Sequence, residues 1–585
     1  MKFIALVIIV LALVSPVYSA TTPVLFFTDL TSGPKIGSTD VSLGQTSGQD
    51  GAIVTVWGRG LGNSQGTSKI SIGGVNSSYV YYWGNAVAPY SPADMSTRHG
   101  MQMIIFQVPS TVADETVNIR VTVDSEASNT LPFTVRSGNI YFVKKTGSDS
   151  TGDGSWTSPW QTIIKALDSI TAGDIAYIGD GVNQTTLDAY NAAVNLDSSG
   201  TATNPKALVT YPGASSTVGA TGLNIGFGNW QSGVGKTSHW TIAKFTALAD
   251  VNASVMHEGF RLVGNKYSAP LGNSPSGAVE GTGNNLYVLG NEFTNCGIAG
   301  ANKLYHPLYI STPRPSSGPQ PPEQSGRDVG WNYFHGNNAI RAIDIYSEGK
   351  YGGVMSGHIV HDNYIEDQVG GGILIGGYVV GDNWIYNNIV NKAGLGPDPS
   401  YGDPSGHEGV YIAAGKDGYV GNTDIYFYNN TIYGCGYAKA KLSGSTGHVM
   451  FGSVSRYTLH FTNNIIYSTG EPYVTVDSDT PTTAAYGNIW YGDGSPPSWD
   501  TAALIDDPVF VSATTGDFHL LQNSPARNAG TTIEGLYYDF DGNLRGSSFD
   551  LGAYEYMGLD DEEKAEFGPY SISGMEYDRS SSGNE

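Results

Sequence analysis

The chain has 585 residues, and 53 Asp and Glu against 29 Lys and Arg give a formal net charge of −24. A negative field of this size repels nucleic acid and anionic membranes, so neither is expected as a partner. It also disfavours polyanionic glycans, unless a local basic cleft overrides it. With 78 glycines, 37 tyrosines and only 14% charged residues, the composition is typical of an exported β-protein with many turns and an aromatic surface.

The first twenty residues have the pattern of an export signal. Lys2 is basic, residues 3–14 form an unbroken apolar run, and Val17 and Ser19 give a small-residue cleavage site. The run is shorter than the roughly 20 residues that span a bilayer. We therefore predict a signal peptide over residues 1–20. The mature protein is expected to be secreted, either extracellular or at the cell surface, with no segment inserted in a membrane.

Residues 21–136 are predicted to form short strands separated by glycine and asparagine turns. The markers are the GRGLG turn at 58–62, the IGG turn at 72–74, the strand end at 108–109 and the closing segment SNTLPFTV at 128–135. They resemble the IPT/TIG family of immunoglobulin-like domains, which implies a β-sandwich. We interpret this domain as a rigid spacer. The alternative is direct glycan binding through Tyr79, Tyr81, Tyr82 and Trp83.

One short pattern recurs through the second part of the chain: an apolar strand, an asparagine, and two residues of which the second is bulky and apolar. The asparagines lie between 24 and 42 residues apart, at Asn291, Asn332, Asn363, Asn388, Asn430, Asn464 and Asn488. Irregular spacing fits solenoid coils that carry loops of different length. Coils stack about 4.8 Å apart, so each asparagine can bond its neighbours, and we interpret the whole set as scaffold.

The positions of the two cysteines can be compared with the predicted stacking of the coils. Cys296 lies five residues after Asn291, and Cys435 lies five residues after Asn430. They share a column but are four coils apart, which corresponds to about 19 Å. A disulfide needs Cα atoms within roughly 7 Å. We therefore predict two buried free thiols and no bridge.

Segments at both ends of the repeats resemble those of secreted pectate-lyase-like β-helix proteins. The first end has a strand at 140–143, a Gly/Asp loop at 147–155 and an amphipathic segment at 159–167. The closing segments are at 517–521, 524–526, 539–542 and 550–555. The resemblance implies an all-β protein whose larger part, residues 137–557, is a right-handed parallel β-helix with an N-terminal cap. The acidic and Ser/Gly-rich residues 558–585 are predicted to be a disordered tail.

The strands that follow the asparagine turns can be aligned by their inward apolar pairs. This alignment gathers titratable and aromatic side chains from neighbouring coils on one patch: Lys303, His306, Tyr309, Arg341, Asp344, His407, Glu408 and Tyr411. Gly371 and Gly372 leave a floor without side chains between Arg341 and Glu408. Long loops at 313–327 and 391–406 flank the patch. A groove of this kind is the default site on a solenoid, and a polysaccharide is its expected ligand.

Two cleavage chemistries fit the patch. A glycoside hydrolase would use Asp344 and Glu408 as its carboxylates, about 9.6 Å apart by the stacking distance. A polysaccharide lyase would use Lys303, His306 or Tyr309 as the base, with Arg341 neutralising a uronate carboxylate.

His407 beside Glu408 is counted with the catalytic candidates. Lys303, Tyr309 and Tyr411 are counted as substrate-binding residues.

The acidity of the chain favours the hydrolase weakly, because a polyuronate would be repelled. A non-catalytic adhesin or surface fibre subunit is the third interpretation. The motifs of polygalacturonases and the arginine motif of pectate lyases are both missing. No cofactor is required by the patch; calcium is a further ligand that pectate lyases often use, but Asp344 and Glu408 are too sparse to predict a site. The oligomeric state does not follow from the sequence.

Overall fold

The computed structural model describes residues 22–40, 45, 50–272, 275–298, 304–312, 322–347, 353–396, 407–415, 423–436, 447–452, 457–476 and 481–558. The predicted signal peptide lies outside these residues, as does the predicted tail after Gly558. Within the described ranges, no helix has both the length and the apolar character needed to cross a membrane.

The N-terminal domain is a β-sandwich of two sheets. The strands of the first sheet lie in the spatial order Val24–Thr28, Ile53–Arg59, Gln102–Gln107 and Val80–Asn85. Those of the second lie in the order Ser32–Gly33, Leu131–Val135, Thr116–Val123, Lys69–Ile72 and Val75–Asn76, and Glu126–Ala127 pairs with the third of them. The predicted immunoglobulin-like sandwich is confirmed.

The rest of the chain winds through three parallel sheets, which we name A, B and C in the order in which a coil crosses them. Sheet A has twelve strands: Ile140–Val143, Ile175–Ile178, Lys206–Thr210, Trp240–Ala243, Arg261–Val263, Leu286–Leu289, Gln324–Gly330, Met355–His361, Val379–Tyr386, Thr423–Tyr428, Thr458–Thr462 and Thr482–Tyr486. Sheet B has ten: Thr217–Val218, Thr246–Leu248, Lys266–Ala269, Glu292–Cys296, Tyr333–His335, Tyr364–Gln368, Ile389–Ala393, Thr431–Tyr433, Ile465–Tyr467 and Ile489–Tyr491.

Sheet C also has ten strands: Ala192–Asn195, Ile225–Gly228, Asn252–Met256, Ser276–Gly281, Tyr305–Ser311, Arg341–Ser347, Gly371–Gly377, Val410–Ala414, Val449–Phe451 and Val474–Val476. Neighbouring strands pair in parallel in all three sheets, as in the pairs that enter and leave the coil of residues 355–377. The predicted parallel β-helix is therefore confirmed.

Smaller elements complete the fold. The predicted cap contains a helix, Ile163–Ser169, whose Ile163, Ala166 and Leu167 are buried against the first coils. A two-stranded hairpin, Trp230–Gln231 with Gly235–Lys236, projects after the second strand of sheet C. A second hairpin, Phe510–Ser512 with Asp517–Leu520, encloses the 3-10 turn Ala513–Thr515 near the end of the chain.

The asparagine column is a continuous hydrogen-bonded ladder at the turn between sheets A and B. Each side-chain amide donates through Nδ2 to Oδ1 of the next asparagine, at 2.9–3.1 Å. The ladder begins one coil before the predicted set, because Asn265 donates to Asn291 at 3.1 Å. It ends where Asn488 donates to the carboxylate of Asp500 at 2.9 Å. The scaffold interpretation is confirmed.

Replacing Asn363 with alanine is expected to cost on the order of 3 kcal/mol of unfolding free energy, because buried groups on both sides lose a partner. Its amide donates to Val329 O and Asn388 Oδ1 and accepts from Asn332. Chemical denaturation measures the loss. Asn76→Ala, on an exposed position of the sandwich, is the control and should stay within about 0.5 kcal/mol. Equal effects at both positions would contradict the role of the ladder.

The two cysteines are free and buried, as predicted. Burial raises the pKa of both thiols to about 12, so neither is an activated thiolate. They belong to the packing between sheets B and C.

The sandwich packs directly against the solenoid. Phe27 lies 5.1 Å from the ring of Trp331, and one hydrophobic cluster contains core residues of both domains. Lys244 on a solenoid turn pairs with Asp29 of the sandwich at 3.1 Å, with side chains only 2% and 0% exposed. The domain therefore shares a buried core with the solenoid, and its role as a rigid spacer stays a prediction.

Two of the four aromatic residues proposed for glycan binding are engaged with other parts of the protein. Trp83 is buried, and its indole N–H donates to the carbonyl of Leu61 at 2.7 Å. Tyr81 makes an edge contact with Tyr211 of the solenoid, at 5.9 Å between ring centroids. Neither side chain is therefore presented to a polymer in solution.

Candidate functional site

The strands of sheet C pair in the register that was predicted by aligning the repeats of this chain with one another. Tyr309 pairs with Asp344, Asp344 with Leu374, and Leu374 with Tyr411 in successive strands. The neighbouring apolar pairs point inward, and Ile343 and Ile373 are at most 1% exposed. The strand period of two therefore turns the tyrosines and Asp344 outward.

Arg341 reaches across one coil to pair with Glu408. Arg341 is in register with Gly371, and its Nε lies 2.9 Å from Oε1 of Glu408, two coils further on. Two coils correspond to about 9.6 Å, a span that a long arginine side chain can cover. Because Gly371 has no side chain, nothing in the intervening coil blocks the contact. The Arg341 side chain thus crosses the intervening coil at the position of this glycine.

His306 and Asp344 form the second half of the cluster. Nδ1 of His306 lies 3.3 Å from Oδ2 of Asp344, and Nη1 of Arg341 lies 3.9 Å from the same oxygen. The structure therefore joins His306, Asp344, Arg341 and Glu408 in one chain of contacts. We call these four residues the sheet C cluster.

The sheet C cluster is covered by protein. The four side chains are at most 9% exposed, and that of Glu408 is completely buried. Two half-buried tyrosines lie over it. The ring of Tyr309 stacks on His306 at 5.2 Å, and the guanidinium of Arg341 lies 5.4 Å from the ring centre of Tyr411. The tyrosines are therefore the members of the patch that a ligand meets first.

Burial dominates the protonation states in the cluster. It raises the pKa of Asp344 to about 7, although Arg341 opposes the shift. It also raises the pKa of Glu408, again against the charge of Arg341. Burial and the nearby guanidinium hold the pKa of His306 well below its usual range, so its imidazole is neutral at neutral pH. Arg341 stays charged, because the two carboxylates outweigh the desolvation and raise its pKa.

The remaining predicted residues have different positions. His407 is fully buried beside Glu408, so its side chain does not face the outer surface. Lys303 lies outside the described residues, as do 313–321 and 397–406 of the two predicted loops. The described portions are largely strands instead of loops: residues 324–327 belong to a strand of sheet A and residues 391–393 to a strand of sheet B.

The arrangement does not suit a pair of carboxylates acting on water. Oε1 of Glu408 is bound by Arg341, and the side chain has no exposed surface from which to activate a water molecule. An inverting hydrolase needs such a water between its carboxyl groups. A base supported by a carboxylate, with a cation beside it, describes the cluster better.

The described residues contain no group of three or more His, Cys, Asp or Glu side chains placed to hold a metal ion. Calcium takes six to eight oxygen ligands. The carboxylates of the sheet C cluster are instead engaged with Arg341 and His306. These residues do not fit a calcium ion.

Sequence reasoning missed two charged residues on and beside sheet C. Glu280 is in register with Tyr309, one coil nearer the N-terminus. Lys236, on the projecting hairpin, donates to Oγ1 of Thr282 at the end of the same strand, at 3.2 Å. Glu280 could have been found by extending the strand alignment one coil upstream. Lys236 could not, because its position depends on how the hairpin folds back.

Comparison with known proteins identifies the first domain. The family model of the IPT/TIG domain matches residues 34–135. No curated protein sequence matches the chain.

Three solved structures are similar to the chain. A crystal structure of pectate lyase Pel9A is 16% identical with a TM-score of 0.40, covering 72% of this chain and 96% of that one. A rhamnogalacturonan lyase is 13% identical with a TM-score of 0.30, covering 70% and 95%. A complex of XylC with xylose is 10% identical with a TM-score of 0.30, covering 71% and 98%. The assignment of the β-helix itself rests on the parallel strand pairing of sheets A, B and C.

Proposed function

We propose that the chain is a secreted polysaccharide lyase that cleaves a uronate-containing polymer bound along sheet C. The observation that carries the proposal is the sheet C cluster, in which a neutral imidazole, a carboxylate and a buried guanidinium meet beneath two half-buried tyrosines. These are the parts that β-elimination requires: a base, a group that orients it, and a cation.

The proposed reaction begins with the base. In this reaction, His306 turns so that its Nδ1–H donates a hydrogen bond to ionised Asp344, whose Oδ2 lies 3.3 Å away in the structure, and Nε2 of the imidazole is then free to remove the proton on C5 of the uronate. Arg341 stabilises the negative charge that develops on the uronate carboxylate. The C4–O4 bond breaks as a C4–C5 double bond forms, and the imidazolium returns its proton to the departing oxygen.

Glu408 is assigned to positioning. Its ion pair with Arg341 fixes the guanidinium, and a fully buried carboxylate has no contact with substrate in this arrangement. Tyr309 and Tyr411 are proposed to contact the sugar rings, since an aromatic face suits the apolar side of a pyranose. The weak preference for hydrolysis drawn from the net charge is replaced, because Glu408 is buried in its ion pair with Arg341 and is not available as the second carboxylate of a hydrolase.

A glycoside hydrolase is the second candidate, and one observation favours it. The pKa of Asp344 is raised to about 7, as expected of a general acid that stays protonated near neutrality. In that mechanism, Asp344 would protonate the glycosidic oxygen. A hydrolase needs a second carboxylate, and Glu408 is too deeply buried to serve as one.

A panel of polysaccharides distinguishes the candidates. The purified chain without residues 1–20 should release reducing ends from a polyuronate together with the ultraviolet absorbance of the new conjugated double bond. Reducing ends without that absorbance would show hydrolysis. No cleavage across a panel that includes neutral and acidic polymers, with and without calcium, would favour the adhesin or fibre interpretation.

The pH dependence of turnover is expected to separate the two mechanisms. For the lyase, kcat/KM should rise through a pH of about 7, because Asp344 must be ionised to orient His306. For the hydrolase, it should fall over the same range, because Asp344 must be protonated. The pH profile of Asp344→Asn is the control, since that variant should lose the change in kcat/KM near pH 7 under either mechanism. A flat profile for the unmodified protein would contradict both roles of Asp344.

A further inference from the structure

A guanidinium is buried inside the β-helix, and no carboxylate in the described ranges forms an ion pair with it. Arg327 lies on a strand of sheet A and is 0% exposed. It alternates with Val329 of the apolar core, so the strand period turns both side chains toward the interior. The adjacent acid, Asp328, faces the opposite way and binds His361 at 2.9 Å. Burial lowers the pKa of Arg327 to about 9, whereas carboxylates raise that of the guanidinium in the sheet C cluster.

Most N–H groups of this guanidinium are not used within the described part of the chain. Nη2 of Arg327 donates to Oε1 of Gln324 at 2.8 Å, and the same oxygen accepts from the backbone of Gly283 at 3.1 Å. Nε and Nη1 have no hydrogen-bond partner among the described residues. Burying an unsatisfied donor costs free energy, and burying an unpaired charge costs more. A negatively charged ligand that accepts hydrogen bonds would offset both costs.

An imidazole from the next coil faces the interior beside this guanidinium. His358 is in register with Arg327 and is likewise completely buried. Burial and the charge of Arg327 hold the pKa of His358 well below its usual range, so its ring is neutral and has one N–H to donate. Neither ring nitrogen has a hydrogen-bond partner in the part of the chain that the structure describes. Two neighbouring coils therefore direct unused donors into the interior at matching positions.

Uncharged residues lie on both sides of this pair. On the N-terminal side, Leu286 is in register with Arg327 and belongs to the apolar core. On the C-terminal side, Asn383 accepts from the backbone N–H of His358 at 3.2 Å and donates to two backbone carbonyls. Neither neighbour supplies a negative charge. Because Arg327 and His358 are completely buried, a polymer cannot reach them, and a ligand must be small enough to be enclosed by the coils.

We infer that Arg327 and His358 bind a small monovalent inorganic anion such as chloride inside the β-helix, between two neighbouring coils. The anion is the counter-charge of the guanidinium and accepts a hydrogen bond from the imidazole. It is a structural ligand, and its binding is independent of any reaction at the sheet C cluster. An anion that binds the native state stabilises it in proportion to the logarithm of its concentration once the site is filled.

Thermal unfolding of the chain without residues 1–20 tests the inference. Chloride is raised from about 5 to about 500 mM while sodium methanesulfonate keeps the ionic strength constant, and the midpoint should rise by about 2 °C or more. Arg327→Met removes the charge and should abolish the rise. Arg120→Met, at an exposed position of the sandwich, is the matched control and should keep it. No rise in the unmodified protein, or an equal rise in Arg327→Met, would overturn the inference.

Crystallography locates the anion without relying on a variant. Bromide substitutes for chloride in anion sites and is identified by its anomalous scattering. Crystals of the unmodified protein grown in bromide should show an anomalous peak within hydrogen-bond distance of both the guanidinium of Arg327 and the ring of His358. Bromide at exposed positions only, with water beside Arg327, would reject the inference.

Discussion

Arg341→Met will lower the free energy of unfolding by about 3–5 kcal/mol, because it leaves Glu408 buried without its counter-charge. The side chain of Glu408 has no exposed surface, and the 2.9 Å contact with Nε of Arg341 is the ion pair that compensates its charge. Denaturant unfolding followed by circular dichroism gives the difference. The variant should also lose turnover, since the cation of the proposed reaction is removed.

The double variant Arg341→Met/Glu408→Gln provides the control for stability. Removing both charges should recover most of the loss, because a neutral amide is far less costly to bury than a lone carboxylate. Turnover should not return, because the missing cation acts on the substrate. If the double variant is as unstable as the single one, the ion pair is not the source of the effect. If it regains activity, Arg341 has no direct part in catalysis.

Lys244→Met is expected to destabilise the protein by a similar amount, about 3–5 kcal/mol, through the interface between the domains. The change leaves Asp29 of the sandwich completely buried and without its ion-pair partner. Thermal and chemical unfolding should both report the loss as a single transition, because the two domains share one hydrophobic cluster.

The exposed pair Lys35 and Asp114 gives the matched control for this prediction. Their nitrogen and oxygen atoms are 2.8 Å apart, but the side chain of Asp114 is 68% exposed. Lys35→Met should therefore cost no more than about 1 kcal/mol. A loss in Lys244→Met as small as in the control would mean that the domains are held together by apolar contacts alone. Two separate transitions would contradict the shared core.

The parts of the fold that repeat along the chain could be predicted from the sequence. The asparagine ladder and the inward apolar pairs recur from coil to coil, because every coil must fill the same apolar core and hydrogen-bond the same buried turn. Asn265 was missed because Lys266 and Tyr267 follow it, and a tyrosine is a weak match to a bulky apolar residue. The docking of the sandwich could not be predicted, since the pairing of Asp29 with Lys244 joins distant residues that share no pattern.

The sequence could predict which residues gather at the candidate site, but not how deeply their side chains are buried. Register alone places Tyr309, Asp344 and Tyr411 in one outward column, and the strand pairing confirms that column. Arg341 opens its strand and Glu408 precedes its own, so the strand period does not place their side chains on that face. Whether an outward position is exposed depends on the neighbouring side chains and on the turns that cover it. Asp344 faces outward by the strand period, yet its side chain is only 5% exposed. That burial raises its pKa and changes which mechanism the cluster supports.

The asparagine ladder also has a direction. One N–H of every side-chain amide donates toward the C-terminal end of the solenoid, from Asn265 through Asn363 to Asn488, and each Oδ1 between them accepts from the N-terminal side. Aligned amide dipoles add along such a column, as peptide dipoles do along a helix, and leave a partial positive charge at the last donor. Asp500 places a carboxylate at that end. The β-helix therefore carries an axial dipole of side-chain origin, and an acidic residue caps its positive pole.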